Sequence, residues 1–320
     1  GEEGQLGNCT QLVDVGFALG HAVEAGFHPV DAVLHAKVHV QGCQPTIFQL
    51  LGFAGDVDLP VAPTSKTEAT FLVVLGFAAR FLSDMKFSAV ITLGAAVQCL
   101  GFCLLRLKMR KQQGVQGISS RTLQMFFVMY LFRLYSTLQY NGYLPVDRTG
   151  DWAYQAIDVC AACIVLSLLV TIHGKYEATY EKEYDTCAIH WFLAGCLCLA
   201  MVVHPHLNNR RAPDIAWTAA LYMESVAMVP QLYQMSKKGG EVDSLAGHYV
   251  ACCFISRILM LSFWLHSYPE LTPKGSSFNL PGYGVVGAQL LQLVLFGDFM
   301  WYYIKSVTTE QKLVLPEMSV

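Results

Sequence analysis

Five ionisable residues stand inside stretches that are otherwise apolar: Arg133, Asp158, Glu224, Arg257 and Asp298. A lone charge in hydrocarbon is expensive, so such residues face a protein interior and take partners. Two bases and three acids allow two arrangements. In one, a polar cavity between helices receives a ligand carboxylate on Arg133 or Arg257. In the other, the set closes on itself as internal ion pairs, such as Arg257 with Glu224, and the near balance of charge favours this one. No nucleophile, base and orienter stand together, and no Gly-rich phosphate loop is present, which argues against an enzyme.

These residues need long apolar elements to position them. About seven blocks of spanning length, at about 20 residues each, run near 87–109, 122–144, 153–174, 188–204, 214–235, 246–267 and 281–304. The fourth is short and is expected to cross with little tilt. The fifth holds Glu224 near its middle and Pro230-Gln231 near its end, where the proline removes a backbone donor and is expected to bend the helix. The chain is 54% hydrophobic and 14% charged, against about 25% charged in soluble domains. The class is therefore a multi-pass membrane protein. A net charge of -3 argues against a nucleic-acid partner. The 11 cysteines lie mostly in apolar blocks, as Cys160, Cys163, Cys196, Cys198, Cys252 and Cys253 do, and no zinc spacing or disulfide framework is implied.

Basic residues set the orientation. Arg106, Lys108, Arg110, Lys111, Arg121, Lys175, Lys182, Lys237, Lys238, Lys305 and Lys312 fall in the joints after the first, third and fifth blocks and in the tail. The opposite joints carry Arg148, Arg210, Arg211 and Lys274. The C-terminus is thus expected on the cytoplasmic or equivalent side, with residues 1–86 on a lumen-like side. That segment reads as partly irregular, with a weak strand at 33–40 and a helix at 69–83. His21, His28, His35 and His39 read as scattered surface histidines, since no carboxylate or Cys completes a ligand set. Asn8-Cys9-Thr10 matches a glycosylation sequon. No signal peptide is visible at the start. No cofactor is expected. A bound lipid or pigment is left open through His173, His190 or His248, each near a block end where a histidine meeting water is the plainer reading.

Several segments stand out together: Gly117-Ile118-Ser119, Phe132-Arg133, Ala178-Thr179-Tyr180 with Asp185-Thr186, and Ala216-Trp217-Thr218. They continue through Tyr222-Met223-Glu224-Ser225-Val226-Ala227, Pro230-Gln231-Leu232, His248-Tyr249, Arg257, Trp264, Asp298-Phe299 and Lys312-Leu313-Val314-Leu315-Pro316. On these, the chain from Gly117 to Pro316 resembles the endoplasmic-reticulum retention-signal receptors, the KDEL receptors. The resemblance implies an all-α integral membrane protein, a seven-helix bundle in two three-helix halves similar to the SWEET (PQ-loop) transporters. Residues 87–308 would form the bundle, 309–320 the tail, and 1–86 an extension outside the family pattern. It implies binding of C-terminal retention signals, with arginines for the ligand carboxylates, an acid for its Lys or His, and a histidine switch.

Carried over by position, the resemblance assigns Arg133, Asp214 (for a Glu), Trp217, Glu224, Arg257, Trp264 and Asp298 to the ligand pocket or a buried polar network. Other positions depart from the family: Ile91 stands for an arginine, Gln98 for the histidine switch, Ser136 for an acid, Met260 for a tyrosine, Phe263 for an asparagine, Ser267 for an arginine and Asn279 for an acid. Desolvating a strongly anionic tail without cations costs several kcal/mol per charge, so affinity for such a tail is expected to collapse unless Arg80 or Lys86 folds back. The tail stretch Thr309-Glu310-Gln311-Lys312 keeps one lysine of the family's sorting cluster. The first expectation is therefore a non-catalytic accessory subunit of a larger membrane complex, in contact with lipids and other membrane subunits. The alternative is a retrieval receptor with altered signal preference, and a third is a small-solute transporter. The family implies endoplasmic reticulum and Golgi; the residues do not choose among these, a mitochondrial and a plastid membrane.

Overall fold

The computed structural model describes residues 88–140, 151–207, 210–272 and 278–316. The expectations placed on residues 1–86, including the four histidines, the sequon, Arg80 and Lys86, lie outside the described residues. So do Arg148 and Lys274.

Among the described residues the apolar blocks become helices α1 (Ser88–Gln112), α2 (Ser120–Tyr140), α3 (Asp151–His173), α4 (Ile189–Val202), α5 (Arg211–Val226), α6 (Val229–Lys238), α7 (Ser244–Ser267) and α8 (Leu280–Thr308). Together α5 and α6 make up the fifth expected block. Among the described residues four helical stretches are long and apolar enough by themselves to cross a membrane: Ala89–Gln112, Trp152–His173, Ser244–Leu271 and Leu280–Thr308. The protein is an all-α integral membrane protein. α4 is apolar but has only 14 residues, in keeping with its short block.

The helix ends follow from local chemistry. Asp243 caps α7, its carboxylate accepting from Leu245 N at 3.0 Å and Ala246 N at 3.3 Å. Asn279 caps α8, accepting from Gly282 N at 2.9 Å, with Pro281 in the first turn where no backbone donor is needed. α6 ends at Gly239-Gly240, both with positive φ (59° and 76°), a backbone that glycine adopts without a Cβ clash. Gly240-Glu241 (β1) then pairs antiparallel with Val314-Leu315 (β2), and Val242 N donates to Leu313 O at 2.8 Å. This ties the tail to the α6–α7 joint, and Lys312 reaches Glu241 at 2.9 Å.

The expected bend at the Pro-Gln pair is a break just before it. α5 stops at Val226 and α6 restarts at Val229, with Pro230 in its first turn. Gln231 then fastens α6 to the start of α2. Its backbone N donates to Thr122 Oγ1 at 2.8 Å and its amide Nε2 to Gly117 O at 2.9 Å, while its Oε1 accepts from Ser119 N at 2.9 Å. Asp185 reinforces the same corner from the α3–α4 joint, accepting from Ser119 Oγ (2.8 Å), Arg121 N (3.1 Å) and the Tyr180 hydroxyl (2.6 Å). Burial and the adjacent Asp185 carboxylate push the Tyr180 phenol above its ordinary range.

α5 is the hub. Every residue from Ala216 to Ser225 is buried, so this helix meets protein on all sides. It packs on α2, α4 and α8, while α1 packs on α7 and α3. Phe102 of α1 meets Phe126 and Tyr130 of α2 and Tyr249 of α7, with ring centroids 5.1, 6.3 and 5.9 Å apart. The outer faces are apolar: Trp152, Trp191, Val202 and Trp301 are each at least 70% exposed, as suits side chains that meet lipid. α4 buries Ala200 alone.

Candidate functional site: a cleft over a buried charge network

Glu224 sits in the last turn of α5, just before the break to α6, and the surrounding helices bring polar groups to it. From α2, Arg133 Nη2 donates to Glu224 Oε2 at 2.5 Å. From α7, Arg257 Nη1 lies 2.9 Å from the same oxygen, an ionic contact off the hydrogen-bond direction. From α3, Asp158 Oδ1 lies 3.6 Å from Arg133 Nη1. From α1, Gln98 Oε1 accepts from Arg257 Nη2, which also donates to Ser256 Oγ at 2.9 Å. From α8, Gln292 Nε2 donates to the Glu224 carbonyl at 3.0 Å. All four charged residues are at most 6% exposed. Two guanidiniums and two carboxylates cancel, which is what allows the set to stay buried.

A small, partly open cleft, with a cavity volume of about 20 Å³, lies beside this network. Its walls are Ile91 of α1, Arg133 of α2, Tyr154 of α3, Trp217, Leu221 and Glu224 of α5, Met260 and Trp264 of α7, and Gln289 of α8. Trp217 and Trp264 meet edge to face, with centroids 5.5 Å apart. Arg133 is the one basic residue among these walls. Two buried acceptors at the cleft residues, Glu224 Oε1 and Gln289 Oε1, have no hydrogen-bond partner.

The cleft and network thus take in Arg133, Trp217, Glu224, Arg257 and Trp264 from the expected set, together with Asp158. Asp214 is elsewhere. It is buried at the head of α5, accepting from Leu207 N at 3.2 Å, and so holds the α4–α5 joint. Asp298 does not join the network either: it is exposed. It follows the buried Phe296 by two residues, about 200° around an α-helix, and so points off the packed face of α8.

The positions read as departures from the family divide in the same way. Ile91 and Met260 are cleft walls. Gln98 serves Arg257. Ser136 is fully buried with its hydroxyl unpartnered. Phe263 packs edge-on against Trp264 at 5.0 Å. Ser267 closes α7, and Asn279 is spent on capping α8 while donating from Nδ2 to Tyr268 O at 2.7 Å. Among the histidines, His173 Nε2 lies 2.8 Å from Ser120 Oγ and His248 Nδ1 lies 2.5 Å from Ser244 O, while His190 lies beside Trp191 at 5.1 Å between centroids. Tyr154, Leu221 and Gln289 were not foreseen as site residues. Gln289 and Gln292, polar residues three apart in an apolar block, were the signal available for α8.

The described residues thus form a helical membrane bundle with a paired charge network beside an aromatic-lined cleft. Comparison with known proteins gives the family. The profile of the ER lumen protein retaining receptor matches residues 114–267. Similar proteins include an ER lumen protein-retaining receptor 3 of Xenopus tropicalis, 30% identical over 226 residues that cover 70% of this chain and 95% of the relative. An ER lumen protein-retaining receptor of Drosophila melanogaster is 29% identical over 214 residues, covering 67% of this chain and 92% of the relative. The chain belongs to the ER lumen protein retaining receptor family.

Proposed function

We propose that this protein is a receptor for C-terminal peptide signals of lumen proteins, with a signal preference of its own and no catalytic role. The observation that carries this is Arg133. Its guanidinium stands at the wall of a cleft flanked by Trp217 and Trp264, where a chain-terminal carboxylate can share it with Glu224 and Asp158. The relatives' names support the same reading. They support it better than the expectation of an accessory subunit, for which the described residues offer no separate observation. The orientation expected from the basic joints, with the C-terminus on the cytoplasmic side, belongs to this proposal, as does residence in endoplasmic reticulum and Golgi membranes.

The test uses the purified full chain in nanodiscs and fluorescent octapeptides with a free or an amidated C-terminus. The receptor reading expects saturable binding that amidation abolishes and that Arg133→Gln reduces at least tenfold. If the protein instead copurifies as a fixed member of a larger complex and no free C-terminus binds, the reading is wrong.

A further inference from the structure

Resting on that receptor reading, we infer that the cleft selects tails whose last side chains are uncharged, and takes only one carboxylate, the chain terminus. The first reason is charge. Arg133, Arg257, Asp158 and Glu224 already cancel, and Arg257 is not a cleft wall but is engaged by Glu224, Gln98 and Ser256. Arg133 is the one cation in the cleft wall, and it already faces Glu224 and Asp158. A terminal carboxylate can share that guanidinium with Glu224, which also keeps Arg257. The first carboxylate already leaves the site one negative charge in excess, and each further one adds another where a single guanidinium faces the cleft.

The second reason is the wall chemistry. Ile91, Leu221 and Met260 with the indoles of Trp217 and Trp264 supply the apolar part of the cleft wall, beside the polar groups of Arg133, Tyr154, Glu224 and Gln289. Such walls favour aliphatic or amide side chains over carboxylates. The third is hydrogen-bond supply. Glu224 Oε1 and Gln289 Oε1 are buried acceptors without donors. The backbone N–H groups of an extended tail, or a side-chain amide, provide donors there; an acidic side chain provides an acceptor where acceptors are already in excess.

The experiment compares four octapeptides at neutral pH on the full chain. They share their first five residues and end in Asp-Glu-Leu or in its neutral isostere Asn-Gln-Leu, each with a free or an amidated terminus. The neutral free tail is expected to bind at least tenfold more tightly than the acidic one, and its amide not to bind. In Ile91→Lys, or in Met260→Lys should the first variant fail to fold, a second cation enters the cleft wall, and the preference should move at least tenfold toward the acidic tail. Acidic and neutral tails of equal affinity, or a preference for the acidic tail, would overturn the selectivity and leave the receptor reading standing. No binding by any free terminus to a chain that still melts cooperatively would overturn both.

Discussion

Glu224 holds two guanidiniums at once, which makes it the most informative residue to neutralise. In Glu224→Gln the side-chain volume is kept and the negative charge is lost. Arg133 retains Asp158 at 3.6 Å, while Arg257 is left with the neutral partners Gln98 and Ser256. Arg257 is 1% exposed and cannot recover water. Removing one partner of a buried ion pair destabilises by about 3–5 kcal/mol. For a domain of this size each kcal/mol lowers Tm by about 2–4 °C, so the variant should melt roughly 6–20 °C below the parent in the same detergent. Intrinsic tryptophan fluorescence suits the assay, since Trp217 and Trp264 lie at the network. Replacing Arg257 by Met as well removes the stranded cation, and the double variant should be more stable than the sum of the two single losses by at least about 1 kcal/mol. A shift below about 2 °C in Glu224→Gln, or strictly additive losses, would refute the claim that the network stabilises the bundle through charge pairing.

Two further expectations concern how the bundle is held. A Cβ added at Gly284 would lie 2.5 Å from the Tyr222 hydroxyl, which donates to Val203 O at 3.2 Å; Gly284→Ala should therefore cost about 1–3 kcal/mol through displaced packing between α8 and α5, read as a lower Tm. Gln231→Ala deprives Ser119 N and Gly117 O of their partner at the foot of α2. It should cost about 1–3 kcal/mol and speed hydrogen exchange at Ser119, whereas unchanged exchange there would show that the Pro-Gln clamp is not what fixes this corner.

Much of the architecture was legible in the residues. Apolar blocks of spanning length foretold the helices, because a backbone in hydrocarbon must satisfy its own hydrogen bonds and a helix does so within one segment. Pro230 announced a discontinuity, although it falls in the first turn of a new helix at Val229 and not inside a bent one. The reason is general: a proline can begin a helix without losing a bond that the first turn would have made. The pairing of Arg257 with Glu224 was one of two arrangements open from charge balance, and Asp298 was grouped with it on the same grounds. Charge balance says only that buried charges need partners. It is silent on rotation about the helix axis, and two residues past Phe296 that rotation carries Asp298 off the packed face of α8.

The sequence by itself determined that the chain is a helical membrane protein, where the helices lie, and that Arg133, Glu224 and Arg257 must be neutralised inside it. Each of those conclusions needs only local chemistry and the cost of a charge in hydrocarbon. Only the tertiary structure decided which carboxylate meets which guanidinium, that Ile91 and Met260 are walls of one cleft, and that Gln98 supports Arg257 across 159 positions of chain. Periodicity identifies the face a helix buries, but which neighbour that face meets depends on how all the helices pack at once.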